Sequence, residues 1–114
     1  MTKKATLLMK LNDDNTVATR LLYYVRHGET VRHECLVRIS KPFPVTEETA
    51  GYSFKQGDCR CYVEFDGLPE RGFACEGVDG AQALTLALNF DPILKHHQKK
   101  YTFYFSCGGP YFED

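Results

Sequence analysis

No run of about 18 apolar residues occurs anywhere in these 114 residues, so the sequence offers nothing that spans a membrane. The first ten residues start basic, but the apolar run Leu7-Leu8-Met9 ends after three residues. A secretory core needs roughly 7–15, so no signal peptide is expected. There is no internal repeat, no low-complexity stretch and no linker, which leaves one globular domain over residues 1–114. An even set of cysteines is missing too. The five present, at 35, 59, 61, 75 and 107, suit reduced thiols in a cytoplasm better than a disulfide framework.

What is present is a chain that is 43% hydrophobic and 25% charged. A domain of this size buries roughly two-thirds of its unfolded surface, enough for one core without metal or disulfide support. The net charge of −1 hides an asymmetry. Residues 1–45 hold 8 Lys/Arg against 4 Asp/Glu, residues 46–79 hold 3 against 8, and residues 80–114 balance at 3 each. Such a dipolar surface can orient a charged partner, although ordinary surface charge unevenly spread along the chain is the favoured reading.

Alternation of apolar and polar residues marks the strands. Thr19, Leu21, Tyr23 and Val25 alternate with Arg20 and Arg26, and Val31, His33, Cys35, Val37 and Ile39 alternate with Arg32, Glu34 and Arg38. Between them His27-Gly28-Glu29 reads as a tight turn with a glycine free to take positive φ. This pattern predicts Val25 opposite Val31, Tyr23 opposite His33 and Leu21 opposite Cys35. A second hairpin follows the same logic, with Val63 opposite Phe73 and Cys61 opposite Cys75. An earlier strand, about Ala5–Leu11, runs into the turn Asn12-Asp13-Asp14-Asn15, and a last strand near Tyr101–Cys107 stops at Gly108-Gly109-Pro110.

One helix interrupts the strands. Asp79 is a helix cap with Gln82 three residues on. Behind it Ala81, Ala83, Leu84, Leu86, Ala87, Leu88 and Phe90 leave only the stripe Gln82, Thr85 and Asn89 polar. A helix this apolar is expected to be buried across the sheet. Asp91-Pro92 ends or kinks it before a short segment at residues 93–99. The predicted fold is α+β: an antiparallel sheet of five or six strands with one buried helix on a face.

The segment GVDGAQALTLAL, Gly77–Leu88, resembles a family of small uncharacterised bacterial proteins that carry a GVDxxQALxLAL-like stretch after a strand hairpin. The resemblance covers roughly residues 20–90. It implies a compact α+β fold and brings no catalytic residues.

A second resemblance is confined to LYYVRHGETVRHE, Leu22–Glu34, which is similar to the start of the histidine phosphatase superfamily. It would make His27 the phosphorylated nucleophile and Arg26 part of its phosphate clamp. The motif there follows a parallel strand and leads into a helix, whereas here the following residues alternate as a strand and the later asparagine is missing. Fold context outweighs a short motif. The phosphohydrolase using His27 therefore stays the alternative.

Cys59, Cys61 and Cys75, with Cys35 and His33 nearby, are the alternative metal set. Their one-residue spacing on apolar-face positions favours core packing for all five cysteines, with His33 a core-edge histidine bonded to a neighbour. No metal or cofactor is expected. Arg20, Leu22, Tyr24, Arg26, Arg32 and Arg38 fall on the predicted outer face. Basic residues interleaved with an aromatic resemble a nucleic-acid platform, but a sequence pI near 6.4 favours a solvated sheet. The long connector Lys41–Asp58 carries Phe43, Tyr52 and Phe54 beside Glu47 and Glu48, anchor types for a protein-binding surface. The functional expectation is a small soluble, non-enzymatic, cytoplasmic binding protein whose partner is another protein, as in immunity-type proteins that neutralise a bacterial toxin.

Overall fold

Local chemistry starts the chain on its path. Asn12 and Asn15 close a turn reciprocally: each backbone N–H donates to the other's side-chain oxygen, at 2.7 and 3.1 Å. A computed structural model describes residues 11–46 and 55–112. The predicted strand Ala5–Leu11 lies outside them except for Leu11, which is buried.

Six strands form one antiparallel sheet: β1 (Thr16–Arg26), β2 (Arg32–Ser40), β3 (Phe43–Pro44), β4 (Cys59–Asp66), β5 (Phe73–Gly77) and β6 (Tyr101–Phe105). Across the sheet the order is β6-β1-β2-β4-β5, with β3 also paired to β4. Buried Ser40 marks where β2 gives way to β3. Its hydroxyl accepts from the Tyr62 backbone N–H and donates to the Lys41 carbonyl, both at 2.8 Å.

One helical segment packs against the sheet, interrupted at Asn89 and Phe90 into α1 (Gly80–Leu88) and α2 (Asp91–His96), with Pro92 in the first turn of α2, and followed by a 3₁₀ turn, His97–Lys99. Asp79 caps α1 as expected, its Oδ1 accepting from the Gln82 N–H at 2.8 Å. The return bond of Gln82 goes to the Val78 N–H, one residue earlier than in the usual capping box. Leu22, Tyr24, Cys35, Val37, Val63, Phe65 and Phe103 of the sheet close on Ala83, Ala87, Phe90 and Leu94. Each of the larger side chains adds roughly 1.5–3 kcal/mol through burial. Ala83 and Ala87 are the fully buried residues of α1 and Leu84 packs half-buried beside them, whereas Leu86 is 45% and Leu88 48% exposed. No helix among the described residues is long and apolar enough to cross a membrane.

The second hairpin has the expected register, Val63 opposite Phe73 and Cys61 opposite Cys75. The first is slipped by one residue: Leu22 pairs with Cys35, Tyr24 with His33 and Val25 with Arg32. The even residues of β1 therefore face the core, and Leu21 and Tyr23 move to the other face. The last strand is shorter than expected, ending at Phe105. The chain then folds back so that Pro110 bridges to Tyr104.

Candidate functional site

The register slip decides what each face displays. On the outer face, away from the helices, lie Leu21, Tyr23 and Val25 of β1, with Leu36, Glu34 and Arg32 opposite them on β2. Tyr104 of β6 pairs with Tyr23 from the other side. The Arg32 guanidinium bridges the two rings, 5.7 Å from the Tyr23 centroid and 4.7 Å from the Tyr104 centroid. Each such cation–π contact at an exposed site adds about 0.5–1 kcal/mol and holds the arginine in place. Leu21 beside it is 37% exposed, and Val17 along the same strand 52%.

The predicted basic outer face is thus corrected at its members. Leu22 and Tyr24 are core residues. Arg20 lies on the helix side, its guanidinium 5.7 Å from the Phe90 ring and its Nη1 donating to the Tyr111 hydroxyl at 2.7 Å. Arg38 is on the outer face but faces Glu64 at 3.8 Å and Asp66 at 3.5 Å. Buried Arg60 donates through Nε to Glu76 at 2.6 Å, its cross-strand partner. The acidic middle of the chain is therefore partly neutralised on this face.

At one end of the sheet, β1 leaves through Arg26 and the turn at His27-Gly28, where Gly28 takes φ +86°. The connection runs on to Val31, longer than the three residues expected, because Val25 pairs with Arg32 and β2 begins only there. His27 is exposed, and its backbone N–H donates to the Lys100 carbonyl at 2.9 Å. It borders an open cleft of about 320 Å³ together with Gln98, Tyr101, Thr102, Phe103 and Phe112. No arginine is among these, and the strand before the motif is antiparallel to both neighbours. Arg26 and His27 thus stand in a setting unlike the parallel strand and helix that the phosphatase resemblance requires.

Behind the cleft is a polar cluster without any signature in the sequence. The Tyr101 hydroxyl donates to Glu70, with its oxygen 2.9 and 3.2 Å from the two carboxylate oxygens, and Lys100 Nζ is 3.2 Å from the carboxylate. Burial by itself raises the Glu70 carboxyl, but these two donors, with His97 behind them, hold it below the usual value. Burial pushes the His97 imidazole down, against the pull of Glu70. The same causes keep Tyr101 protonated: burial and its bond to Glu70 both raise its hydroxyl. Tyr24 donates to the Gly67 carbonyl at 2.6 Å and stacks on His33 at 5.1 Å. His33 is not bonded to a neighbour as expected, since its buried Nε2 has no hydrogen-bond partner among the described residues.

The cysteines follow the core reading in part. All five are free; Cys35 and Cys61 are buried, Cys59 and Cys75 half-buried, and Cys107, predicted on an apolar face, is exposed. Burial pushes the Cys35 thiol up to about 12 and the Cys61 thiol to about 11. Cys61 and Cys75 are cross-strand partners, but among the described residues no cluster of three or more His, Cys, Asp or Glu is arranged to hold a metal. Of the proposed loop anchors, Glu47, Glu48, Tyr52 and Phe54 lie outside the described residues. Phe43 is half-buried in β3, its ring 6.0 Å from Tyr62 with Lys41 over it, so it packs on the sheet instead of standing out from it. No family model, no curated protein and no solved structure matches the chain.

Proposed function

We propose that this chain is a non-enzymatic binding protein that docks another protein on the outer face of β1, β2 and β6. The observation that carries the reading is the Tyr23–Arg32–Tyr104 sandwich beside Leu21 and Leu36. Tyrosine and arginine are the residue types in which binding energy concentrates at protein interfaces. Here the arginine is already held by two rings, so little side-chain entropy is lost when a partner covers it. Neutralisation of a toxin by such contact, in a cytoplasm that keeps the thiols reduced, is the instance the sequence suggests.

The test is a direct affinity. A partner is first identified by cross-linking and mass spectrometry from cells that make the protein. Its Kd is then measured for the wild type and for Arg32→Ala, Leu21→Asp and, on the helix side, Leu86→Asp. Loss of at least about tenfold is expected for the first two and none for the third, because truncating an interface anchor costs about 2 kcal/mol or more. A Kd unmoved by Arg32→Ala and Leu21→Asp overturns the outer face as the docking surface.

A further inference from the structure

The free edge of β6 carries more than the outer face alone implies. The His27 N–H bonds the Lys100 carbonyl across the Arg26–Tyr101 pair, which fixes the ladder's phase: the backbone groups of Thr102 and Tyr104 point to β1, and those of Tyr101, Phe103 and Phe105 point away. Among the described residues, the returning C-terminal segment covers the far half of this edge. The Phe105 N–H donates to the Gly109 carbonyl at 2.8 Å, and the Tyr111 N–H to the Phe103 carbonyl at 3.0 Å. Among the described residues the Tyr101 N–H and C=O and the Phe103 N–H keep no backbone partner.

The cleft lies along that open half. Alternate strand residues point to opposite faces, so Tyr101 and Phe103 belong to one side of the sheet and Thr102 to the other. All three border a single hollow only because it straddles the edge of the strand. The Phe103 and Phe112 rings, 6.3 Å apart, give it an apolar wall, and His27, Gln98 and Thr102 a polar rim. The helical segment that leads into β6 ends Lys95-His96-His97-Gln98-Lys99-Lys100. Lys100 is engaged by Glu70, but Lys95 and Lys99 make no ion pair among the described residues.

Resting on the docking reading above, we infer that the partner adds an extended, acidic segment to the β6 edge at Tyr101–Phe103, with one apolar side chain in the cleft. Backbone bonding to an open edge plus a pocket for alternate side chains is how strand addition obtains affinity and specificity. The lysine charge selects acidic residues flanking the apolar one. A second copy of this chain fits poorly. Antiparallel pairing of the same stretch sets Tyr101 of one copy against Phe103 of the other, whose carbonyl is already taken up by the Tyr111 N–H of its own return.

The test uses the whole protein and a capped heptapeptide, Glu-Glu-Val-Leu-Val-Glu-Glu, with two controls: the same peptide with lysine for glutamate, and one N-methylated at alternate residues. The readout is amide hydrogen exchange by NMR. The Tyr101 and Phe103 amides exchange fast in the free protein and slow at least tenfold with the acidic peptide at millimolar concentration. Neither control slows them, and Lys95→Glu with Lys99→Glu abolishes the effect. No slowing with the acidic peptide overturns the inference, as does equal slowing by the lysine peptide. If the peptide fails while Arg32→Ala still weakens the identified partner, the edge assignment alone falls. If the partner also ignores Arg32→Ala, the docking reading falls with it.

Discussion

Replacing Tyr101 by phenylalanine removes one hydroxyl from the Glu70 cluster and leaves the ring in the core. That hydroxyl is 2.9 and 3.2 Å from the two carboxylate oxygens, and the Glu70 side chain is only 16% exposed. A hydrogen bond to a charged group contributes about 1.5–3 kcal/mol. Lys100 keeps a donor on the same carboxylate, but its side chain is 69% exposed, so that ion pair contributes little. The remaining donor and solvent place the loss in the lower part of the range, about 1.5–2 kcal/mol, or roughly 5–10 °C in Tm for a domain of this size. The effect also depends on pH. The Glu70 carboxyl is held below its ordinary value of 4.5, so its stabilisation is complete above that value and is lost as pH falls through the lower folded one. Without the tyrosine donor the carboxyl moves back up, and the variant has less to lose in acid. Urea unfolding followed by circular dichroism should therefore give a larger difference between wild type and Tyr101→Phe at pH 7 than at pH 3. Equal differences at the two pH values, or a Tm within a degree of wild type, would refute the cluster as described.

The remaining expectations are more local. Asp79→Ala removes the α1 cap and costs about 1 kcal/mol, measured by the urea midpoint. Gly67→Ala is worse, at least about 2 kcal/mol, because Gly67 sits at φ +103° and a Cβ there collides with the Glu34 carbonyl oxygen. Burial lowers the His97 imidazole, so its contribution is present above about 6.5 and is lost as pH falls; His97→Phe, which keeps the edge contact with Phe65, flattens stability between pH 7 and pH 5. With a disulfide reagent at pH 8, Cys107 reacts first, whereas Cys35 and Cys61 react only on unfolding.

The two hairpins show where sequence reasoning holds and where it fails. In β4 and β5 one parity is apolar and the other carries Arg60, Glu64, Asp66 and Glu76, so burial selects a single register, and Cys61 meets Cys75. In β1 the run Leu21-Leu22-Tyr23-Tyr24-Val25 is apolar at both parities. Alternation cannot choose between its faces, and the choice falls to contacts from β2, β6 and the helices. The tight turn expected at Gly28 fails for a related reason. With the register slipped, Val25 meets Arg32 instead of Val31, so Thr30 and Val31 join the connection. The helix is enclosed less completely than its composition suggests: Ala83 and Ala87 are buried and Leu84 half-buried against the core, whereas Leu86 and Leu88 stay exposed. The Glu70–Tyr101–His97 cluster and the cleft beside it draw residues from distant parts of the chain. Only the strand order β6-β1-β2-β4 brings them together, so the apolar positions of the last strand were the one available hint.

The docking account is tested most directly by radical footprinting of the protein alone and with its identified partner. Oxidation is read at Tyr23 and Tyr104, which flank Arg32, and at Leu86 on the helix. The account predicts that the partner protects both tyrosines and leaves Leu86 as reactive as in the free protein. Protection confined to Leu86, with Tyr23 and Tyr104 unchanged, would contradict it.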